Sequence, residues 1–394
     1  MTADFGLFDR PQVASELAYY SPFSEEEEMY RQTVRVFLDK EIEPAFHELG
    51  TDSESRHAAW RAAGRAGILG AAIAEEYGGP GGTPIANVIL SYEIARSHCY
   101  GTVGSLFCTD MATGALLDGG SPELIHQWAP KILSGEAIQA MAITEPDAGS
   151  DVLAMRAFAE RDGDDYVLSG HKTFITNGDI ADILYVVAKT SKERRGRSLT
   201  LFLVDPSMAG VTRRKLKTTG FPSGNTAELH FDRVRIPASN VLGGEGGAMR
   251  IMMSSLAYDR LQIGFRALGQ AELAFRMTLD YVKQREVFQR PLFDYQNTQF
   301  ALATMKSEIE VGRAYLHEMV RKVRSGVATA TEGSIGKLWL CEMSNRVVDG
   351  CVQLFGAMGF SDETPISRVY TSNRVLRIYA GTSEIMKQTI ARDL

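Results

Sequence analysis

The stretch AMAITEPDAGSD occupies residues 140–151, and it is the most informative part of the sequence. A second stretch, KTFITNG, follows at residues 172–178. Each pattern predicts a short apolar strand that ends in a hydroxyl residue and a turn. Two strand ends of this kind can place backbone amides and a threonine hydroxyl against the edge of a flat heterocycle. The pair therefore indicates a ligand-binding site between two strands.

The overall composition is typical of a soluble globular protein. The chain has 394 residues, of which 44% are hydrophobic and 23% charged, and this length predicts two or three domains. A formal net charge of −7 argues against a nucleic-acid partner, because such a partner favours a basic face. No run of about 18 apolar residues is present, so we expect no membrane span.

The cysteines and the first residues indicate a protein of a reducing compartment. Cys99, Cys108, Cys341 and Cys351 fit the spacing of neither a zinc site nor a dense disulfide framework, and each is most simply a buried apolar residue. Residues 1–28 lack a basic segment followed by an apolar core, so no secretory or transit peptide is predicted. We therefore expect a cytoplasmic protein.

Helical patterns fill the first part of the chain. Residues 1–23 are predicted as an irregular extension and residues 24–137 as a helical domain. Ser24 before a run of glutamates predicts a helix start, because acidic side chains suit the positive end of a helix. The glycine-rich residues 78–82 lack a preceding strand and a Walker lysine, so they predict a turn rather than a phosphate loop. Two apolar helix faces are predicted, one with Met29, Val34, Phe37, Leu38 and Ile42 and one with Ile89, Tyr92, Ile94 and Ala95.

The pattern changes twice along the rest of the chain. Residues 138–242 are predicted as a β domain, a barrel or sandwich, because short segments rich in β-branched and aromatic residues alternate with turns. Its clearest strands are 166–168, 183–188, 199–204 and 227–231. Residues 243–394 are predicted as an antiparallel four-helix bundle. Its helices are 246–284, 295–325, 330–356 and 365–392. The predicted fold class is α+β.

The two strand-end motifs resemble the flavin-binding signature of the acyl-CoA dehydrogenases. The TEP-x-AGSD element is long, and the second element follows it at the spacing found in that family. An N-terminal α-helical domain, a middle β-barrel domain and a C-terminal four-helix bundle are also the layout of the family. The resemblance covers nearly the whole chain from about residue 24. It implies an FAD cofactor, an acyl-CoA substrate and an electron-transfer flavoprotein as the partner that reoxidises the flavin.

The resemblance also implies which residues surround the flavin ring. Hydrogen bonds to the ring orient it and tune its reduction potential. The backbone of Met141 and Ile143 and the hydroxyls of Thr144 and Thr176 would make them. Phe174, in place of a common tryptophan, would pack on the ring. The remaining residues that the resemblance places at cofactor or substrate are Ser150, Arg260, Gly381, Thr382 and Glu384, with Ser150 near the bound acyl-CoA.

Two further elements resemble the segments that hold the rest of FAD in the family. Arg285, Phe288 and Gln296 match an R-x-x-F…Q element in which a glycine usually follows the phenylalanine; here Gln289 follows it. Arginine suits a pyrophosphate, because its planar fork donates two parallel hydrogen bonds. Gln353 and Gly356 belong to a second element, QLFGAMG. In the family these segments reach the FAD of a neighbouring subunit, which implies a homotetramer built as a dimer of dimers.

The catalytic base is the point at which this chain departs from many family members. Those members carry a glutamate before the Gly-Thr pair of the last helix, where this chain has Ala380. Alanine moves no proton, although its backbone amide remains a donor for the thioester oxygen. Long-chain and isovaleryl enzymes instead carry a glutamate on the first bundle helix, in an E-R-L element. The matching residue here is Asp259, followed by Arg260 and Leu261.

The surroundings of Asp259 in the sequence support that assignment. Met252, Leu256, Asp259 and Ile263 are spaced to share one helix face, so the carboxylate is expected on an apolar stripe. Burial there would raise the pKa of Asp259 from about 3.9, nearer to the working pH of a catalytic base. Aspartate reaches roughly 1.5 Å less far than glutamate. The alternative is a buried structural aspartate paired with an arginine such as Arg260 or Arg266.

The predicted function is α,β-dehydrogenation of an acyl-CoA thioester to the trans-2-enoyl-CoA. Asp259 would remove the α-proton, and flavin N5 would accept the β-hydrogen as hydride. Other flavoenzymes on this scaffold remain open, namely an acyl-carrier-protein dehydrogenase, a flavin monooxygenase or a desulfinase, as does a subunit without catalysis. The sequence carries neither a G-x-S-x-G element nor histidines at metal-ligand spacing, so neither a hydrolase nor a metal site is predicted.

Overall fold

A computed structural model describes residues 21–45, 49, 52–100, 104, 107, 110–192, 198–221 and 226–394. Within these residues a helical region comes first, a β region follows and a second helical region completes the chain. The α+β fold predicted from the sequence is confirmed. Most of the predicted N-terminal extension and Cys108 lie outside the described residues. Among the described helices, none has the length and apolar character that a membrane crossing needs.

The first helical region contains helices α1 to α5. They span Glu25–Phe37 (α1), Ser53–Arg65 (α2), Ile85–Ala95 (α3), Asp110–Gly119 (α4) and Pro122–Leu133 (α5). Ser24 caps α1 as predicted: its side chain accepts a hydrogen bond from the Glu27 backbone, and the Glu27 side chain accepts one from the Ser24 backbone. Residues 78–82 form the predicted turn region between a short 3₁₀ segment and α3.

One residue of the predicted α1 face is wrong. Val34, Phe37, Leu38 and Ile42 are buried, but Met29 is 64% exposed. The physical reason is helix geometry, since five residues at 100° each turn Met29 about 140° away from Val34. The predicted face of α3 is confirmed, because Ile89, Tyr92, Ile94 and Ala95 are all buried.

Eight strands form one sheet in the middle region. They are Gln139–Ala142 (β1), Phe158–Asp162 (β2), Asp165–Ile175 (β3), Ile183–Lys189 (β4), Leu199–Val204 (β5), Val211–Lys215 (β6), Ala227–Pro237 (β7) and Val241–Leu242 (β8). The strands follow the order β6-β7-β3-β2-β4-β5-β8, and β1 pairs with β4 in parallel. Each of the four strands predicted from the sequence is present and longer than, or equal to, its predicted core.

The sheet curls over its own apolar core. Tyr166 on β3 and Phe202 on β5 are not on neighbouring strands, yet their ring centroids lie 5.1 Å apart. The two end strands, β6 and β8, do not pair with each other within the described residues. The predicted barrel is therefore a curled sheet with two free ends. The opposite face of β4 and β5 packs against α4, α5 and the start of the second helical region.

The second helical region begins with a hinge that the sequence did not predict. The predicted helix 246–284 is two helices, Ala248–Ser254 (α6) and Leu256–Gln284 (α7). Ser255 between them has φ −103° and ψ 1°, outside the helical range. The Ser254 hydroxyl donates back to the Ile251 carbonyl, a bond that competes with the helix ladder. A small antiparallel hairpin, Glu286–Val287 (β9) and Arg290–Pro291 (β10), follows α7.

Four more helices complete the region. They are Gln296–Arg324 (α8), Ala330–Phe355 (α9), Pro365–Asn373 (α10) and Ser383–Ala391 (α11). The predicted helix 365–392 is thus wrong as a single helix. Ala380 and Gly381 take φ values of 50° and 90°, which no right-handed helix contains, and Thr382 then starts a new helix as its cap. Helix α7 packs along α9, α3 and α8 and forms the centre of the bundle core.

Candidate active site

The structure brings together the ends of β1 and β3, the two strands that carry the flavin-binding motifs of the sequence. The Thr173 backbone N–H donates to the Thr144 carbonyl at 2.9 Å, which joins the turn after β1 to the end of β3. Thr144 and Thr176 are both half-buried. Their hydroxyls form no hydrogen bond with any residue that the structure describes. Two donor hydroxyls are therefore available to a ligand at these strand ends.

A buried ion pair holds the two strand ends together, and the sequence analysis did not predict it. Lys172 is 0% exposed, and its ammonium lies 2.7 Å from the Glu145 carboxylate and 2.9 Å from the Ile143 carbonyl. Glu145 also accepts hydrogen bonds from the Arg156 and Ala157 backbone. Burial lowers the pKa of Lys172, and the charge of Glu145 opposes that shift. The sequence did contain a signal for this ion pair, because each apolar strand end carries one charged residue, Glu145 in the first and Lys172 in the second.

The residues predicted to contact the ring plane lie on the open side of this junction. Phe174 has φ 57° and is 65% exposed, which is unusual for a phenylalanine. Ser150 is exposed, whereas Met141 and Ile143 are half-buried. The positive φ turns Phe174 out of the alternating pattern of β3. An exposed aromatic side chain beside free hydroxyls fits a planar ligand that stacks on one and hydrogen-bonds to the others.

A second group of predicted cofactor residues gathers at one end of the bundle. Tyr281 on α7 stacks on Phe355 on α9 with 4.2 Å between ring centroids. This contact brings the hairpin that follows α7 next to the end of α9. The predicted residues of both elements are exposed there: Arg285, Phe288, Gln296, Gln353 and Gly356. The structure thus groups them on a surface rather than inside one subunit.

A cavity of about 300 Å³ lies between the first helical region and helices α6 and α7. One wall belongs to the first helical region and is mostly apolar. It contains Trp60, Leu69, Leu90, Phe107 and Leu117, and also the polar residues Asn87, Thr113 and Asp118. The other wall contains Ile251, Ser255, Tyr258 and Asp259. Sites for small organic ligands typically have this character, mostly apolar with few polar groups. The cavity suits an aliphatic chain.

Asp259 is the half-buried carboxyl of that cavity. Burial raises the pKa of Asp259 to about 6, and a hydrogen bond from the Ser255 hydroxyl at 2.7 Å opposes the shift. Met252 and Leu256 are half-buried and Ile263 is buried, although Met252 belongs to α6 rather than to the helix of Asp259. A carboxylate in such surroundings can accept a proton near neutral pH.

Arg260 does not accompany Asp259 into the cavity. Its guanidinium donates to the Ala330 carbonyl at 2.9 Å and to the Ser334 hydroxyl at 2.7 Å, both in the first turns of α9. Arg260 is also not among the residues that line the cavity. The structure therefore supports neither a paired Asp259–Arg260 ion pair nor the predicted contact of Arg260 with substrate.

The turn before α11 presents a free backbone donor. The N–H of Ala380 forms no hydrogen bond with any described residue, and Ala380 itself is exposed. The Thr382 hydroxyl accepts from the Ile385 backbone and caps α11. Glu384 is exposed in the first turn of α11, where a backbone N–H lowers its pKa. Gly381, with φ 90°, allows the chain to enter the helix at this angle.

One group in the described residues has the composition of a metal site, which the sequence did not predict. His171 on β3 lies near Glu228 and His230 on β7. The two imidazole rings stack with 3.9 Å between centroids and an interplanar angle of 17°. Arg214 pairs with Glu228 at 2.6 Å and lowers the pKa of that carboxyl. A cation would have to displace this arginine, so we describe the group as an ion-pair cluster.

Comparison with known proteins identifies the family. The chain matches descriptions of the acyl-CoA dehydrogenase N-terminal domain at residues 24–136, middle domain at 140–234 and C-terminal domain at 246–394. It is 39% identical over 375 residues to the mitochondrial long-chain specific acyl-CoA dehydrogenase of Sus scrofa, a match that covers 94% of this chain and 87% of that protein. The chain belongs to the acyl-CoA dehydrogenase family. The resemblance stated from the sequence is therefore confirmed.

Solved acyl-CoA dehydrogenases share the fold. An acyl-CoA dehydrogenase from Geobacillus kaustophilus is 36% identical, with a TM-score of 0.88 and coverage of 94% of this chain and 98% of that one. A glutaryl-CoA dehydrogenase from Mycobacterium smegmatis, solved in complex with FADH2, is 28% identical. Its TM-score is 0.86, and the match covers 95% of this chain and 96% of that one. These similarities show membership of the acyl-CoA dehydrogenase family and leave the roles of individual residues open.

Proposed function

We propose that the protein catalyses the FAD-dependent α,β-dehydrogenation of an acyl-CoA thioester to the trans-2-enoyl-CoA, with Asp259 as the base that removes the α-proton. The observation that carries this proposal is the position of Asp259. Its carboxyl is half-buried on the wall of a mostly apolar cavity, and burial raises its pKa to about 6. The other acidic side chain that lines the cavity among the described residues, Asp118, is exposed.

The residues at the strand ends fit FAD. Thr144 and Thr176 offer unengaged hydroxyls, and Phe174 offers an exposed ring for stacking. The backbone of Met141 and Ile143 and the side chain of Ser150 would complete this part of the site. When bound, the flavin supplies a ring nitrogen that accepts the β-hydrogen as hydride. The buried Lys172–Glu145 pair keeps the two strand ends at a fixed separation, so the ring meets preformed donors.

Asp259 is suited to remove a weakly acidic proton. The apolar wall excludes water, which raises the proton affinity of the carboxylate and strengthens it as a base. The hydrogen bond from Ser255 orients the carboxyl without neutralising it. Above a pH of about 6 the side chain is ionised and able to accept the α-proton. The proton therefore moves to an Asp259 oxygen.

The negative charge that develops on the thioester oxygen needs donors. The free N–H of Ala380 would supply one, and Gly381 would leave room for the thioester beside it. A single preorganised donor of this kind is typically worth about 3 to 4 kcal/mol in the transition state. Replacement of the usual glutamate by alanine at position 380 removes a carboxyl and keeps this amide.

The partners follow from the same assignment. The exposed residues of the two elements at the end of the bundle would bind the FAD of a neighbouring subunit in a homotetramer: Arg285, Phe288, Gln296, Gln353 and Gly356. Thr382 and Glu384 would also contact FAD. An electron-transfer flavoprotein would reoxidise the reduced flavin. Cys99, Cys341 and Cys351 are buried free thiols, which agrees with a cytoplasmic location.

A single-turnover experiment tests the assignment. The purified, FAD-loaded protein is mixed with acyl-CoA thioesters of graded length, and flavin bleaching is followed. Asp259→Asn should slow bleaching by about 10²- to 10⁴-fold, the usual contribution of a positioned general base. Asp280→Asn, an exposed aspartate on the same helix, is the matched control. Bleaching of Asp259→Asn at the wild-type rate would remove Asp259 from the proton transfer.

A further inference from the structure

Lys337 is a buried cation beneath the turn that carries Ala380. It lies on α9 and is 1% exposed. Its ammonium donates to the Tyr379 carbonyl at 2.8 Å and to the Gly381 carbonyl. These two carbonyls belong to the residues on either side of Ala380. One side chain therefore holds both ends of the peptide segment whose N–H is free.

The backbone of this segment needs such support. Ala380 has φ 50° and Gly381 has φ 90°, so two consecutive residues are left-handed. A residue with a Cβ avoids that region unless surrounding contacts impose it. Thr382 fixes only the far side, as the cap of α11. The two hydrogen bonds from Lys337 hold the near side and the centre of the turn, together with the Tyr379 N–H, which donates to the Val375 carbonyl at 3.1 Å.

The charge of Lys337 is not used in an ion pair with any residue that the structure describes. The pKa of Lys337 is lowered to about 8: burial is the main cause, Cys341 on its own helix opposes it, and Arg260 on α7 adds to it. A buried ammonium that faces only backbone carbonyls is energetically unfavourable compared with an apolar side chain of the same size. Groups of this kind are concentrated at functional sites. Packing alone therefore does not account for a lysine at this position.

We propose that Lys337 is a positioning residue: by holding the Tyr379 and Gly381 carbonyls, it fixes the Ala380 N–H in the orientation that stabilises negative charge on the thioester oxygen. The inference rests on the proposed function, since it assumes that this amide meets the thioester. Lys337 itself contacts neither substrate nor cofactor. Its effect is geometric, because a displacement of about 1 Å in such a donor can lower the rate on the order of 100-fold.

Hydrogen exchange at the α-carbon tests the inference without the redox step. A 3,3-dimethylacyl-CoA has α-hydrogens but no β-hydrogen, so its α-proton can leave and return while the flavin stays oxidised. Exchange in D2O is followed by mass spectrometry, together with kcat and KM for an oxidisable acyl-CoA and with FAD content. Lys337→Met removes both hydrogen bonds and keeps the side-chain length. Ser344→Ala is the matched control, since Ser344 is equally buried on α9 and bonds instead to Asn373.

Lys337→Met should lower exchange and kcat together by about 10²- to 10³-fold, the effect of losing one oxyanion donor, while KM and FAD content stay within about threefold. Ser344→Ala should exchange at nearly the wild-type rate. Exchange by Lys337→Met within threefold of wild type overturns the inference and leaves the proposed function in place. Absence of exchange in the wild-type protein overturns both. If Lys337→Met does not fold, Lys337→Gln is measured in the same assay. A large loss of exchange by that variant supports the inference, and exchange within threefold of wild type overturns it.

Discussion

In the proposed mechanism Asp259 is the base and its carboxyl is half-buried, so the pH dependence of the rate should report its pKa. Because burial raises the pKa of Asp259 to about 6, the carboxylate becomes protonated as the pH falls through 6. The base is then lost, so kcat/KM should be constant above a pH of about 7 and fall tenfold per unit below 6. Stopped-flow bleaching across pH 5 to 8 measures this profile. An acid limb near pH 4 instead would mean that Asp259 is solvated in the working enzyme.

Gly114 should set the length of acyl chain that the cavity accepts. It lies on α4 in the cavity wall, and a Cβ at this residue would meet no atom within 4 Å. Gly114→Leu should therefore fill part of the cavity without strain. We expect kcat/KM for long acyl chains to fall at least about tenfold, with much less change for short ones, since each excluded methylene is worth about 1 to 3 kcal/mol.

The comparison across chain length is the informative measurement for Gly114. Gly114→Ala is the graded control, because it adds one methyl group to the same wall. A uniform loss for acyl chains of every length would place Gly114 outside the path of the acyl chain.

Some positions of side chains could be predicted from the sequence and others could not. Asp259 could be assigned from its apolar stripe and its family motif, and the structure places it in the cavity. Lys172, Glu145 and Lys337 could not, because a buried charge is recognisable only when its partner is known in space. Arg260 was misplaced for the same reason, since α9 lies far from it in sequence and supplies its acceptors.

At the scale of elements, the junction of the two strand ends depends on the Lys172–Glu145 ion pair. Lys172→Met should destabilise the fold by about 3 to 5 kcal/mol, because it leaves the Glu145 carboxylate buried without a cation. FAD retention should fall in parallel. Arg235→Met is the matched control: Arg235 pairs with Asp162 and Asp165 on the same sheet, but the arginine is more than half exposed, so the expected loss of stability is much smaller.

Chemical denaturation and flavin absorbance measure these changes. The double variant Lys172→Met/Glu145→Gln should lose less stability than the sum of the two single variants, since no unpaired charge remains. Simple additivity would show that the two side chains act independently.

The β9–β10 hairpin carries a strained two-residue loop. Phe288 and Gln289 have φ values of 48° and 68°, which is the type I′ conformation that favours glycine. Gln289→Gly should raise the free energy of unfolding by about 0.5 to 1 kcal/mol, and Gln289→Ala should give no such gain. Thermal unfolding of the three proteins measures the difference. Equal or lower stability of Gln289→Gly would mean that the Gln289 side chain has a compensating contact.

Periodicity predicted where helices and strands lie better than where they break. The four predicted strands are present because β-branched runs between turns have few other conformations. The break at Ser255 was missed because serine continues a helical period and only the backbone torsions interrupt it. The break at 374–382 was missed although Gly381 and Thr382 are a helix-end and helix-start signal in the sequence. Both breaks adjoin groups of the proposed site, Asp259 after the first and Ala380 at the second.

At the scale of the whole molecule, the exposed end of the bundle predicts a site shared between subunits. Arg285 and Phe288 are exposed, and Phe288 is 89% exposed. If these residues complete a neighbouring site, Arg285→Glu and Asp259→Asn damage different sites. Coexpression of the two inactive variants should then restore a substantial fraction of activity. Mixed oligomers isolated with two affinity tags are assayed, and the separately purified variants mixed as stable oligomers are the control. Failure of coexpression to restore activity would place both residues at the same site.

The cavity wall comes from two parts of the chain, the first helical region and helices α6 and α7, and our proposal gives them different roles. In our proposal Trp60, Leu69 and Leu90 contact the acyl chain, whereas Asp259, which is far from them in sequence, faces the reacting carbons. Substitutions in the first helical region can therefore retune which substrate fits while the proton-transfer geometry stays as it is. Substrate preference in this protein can diversify, by mutation or by engineering, independently of reaction chemistry.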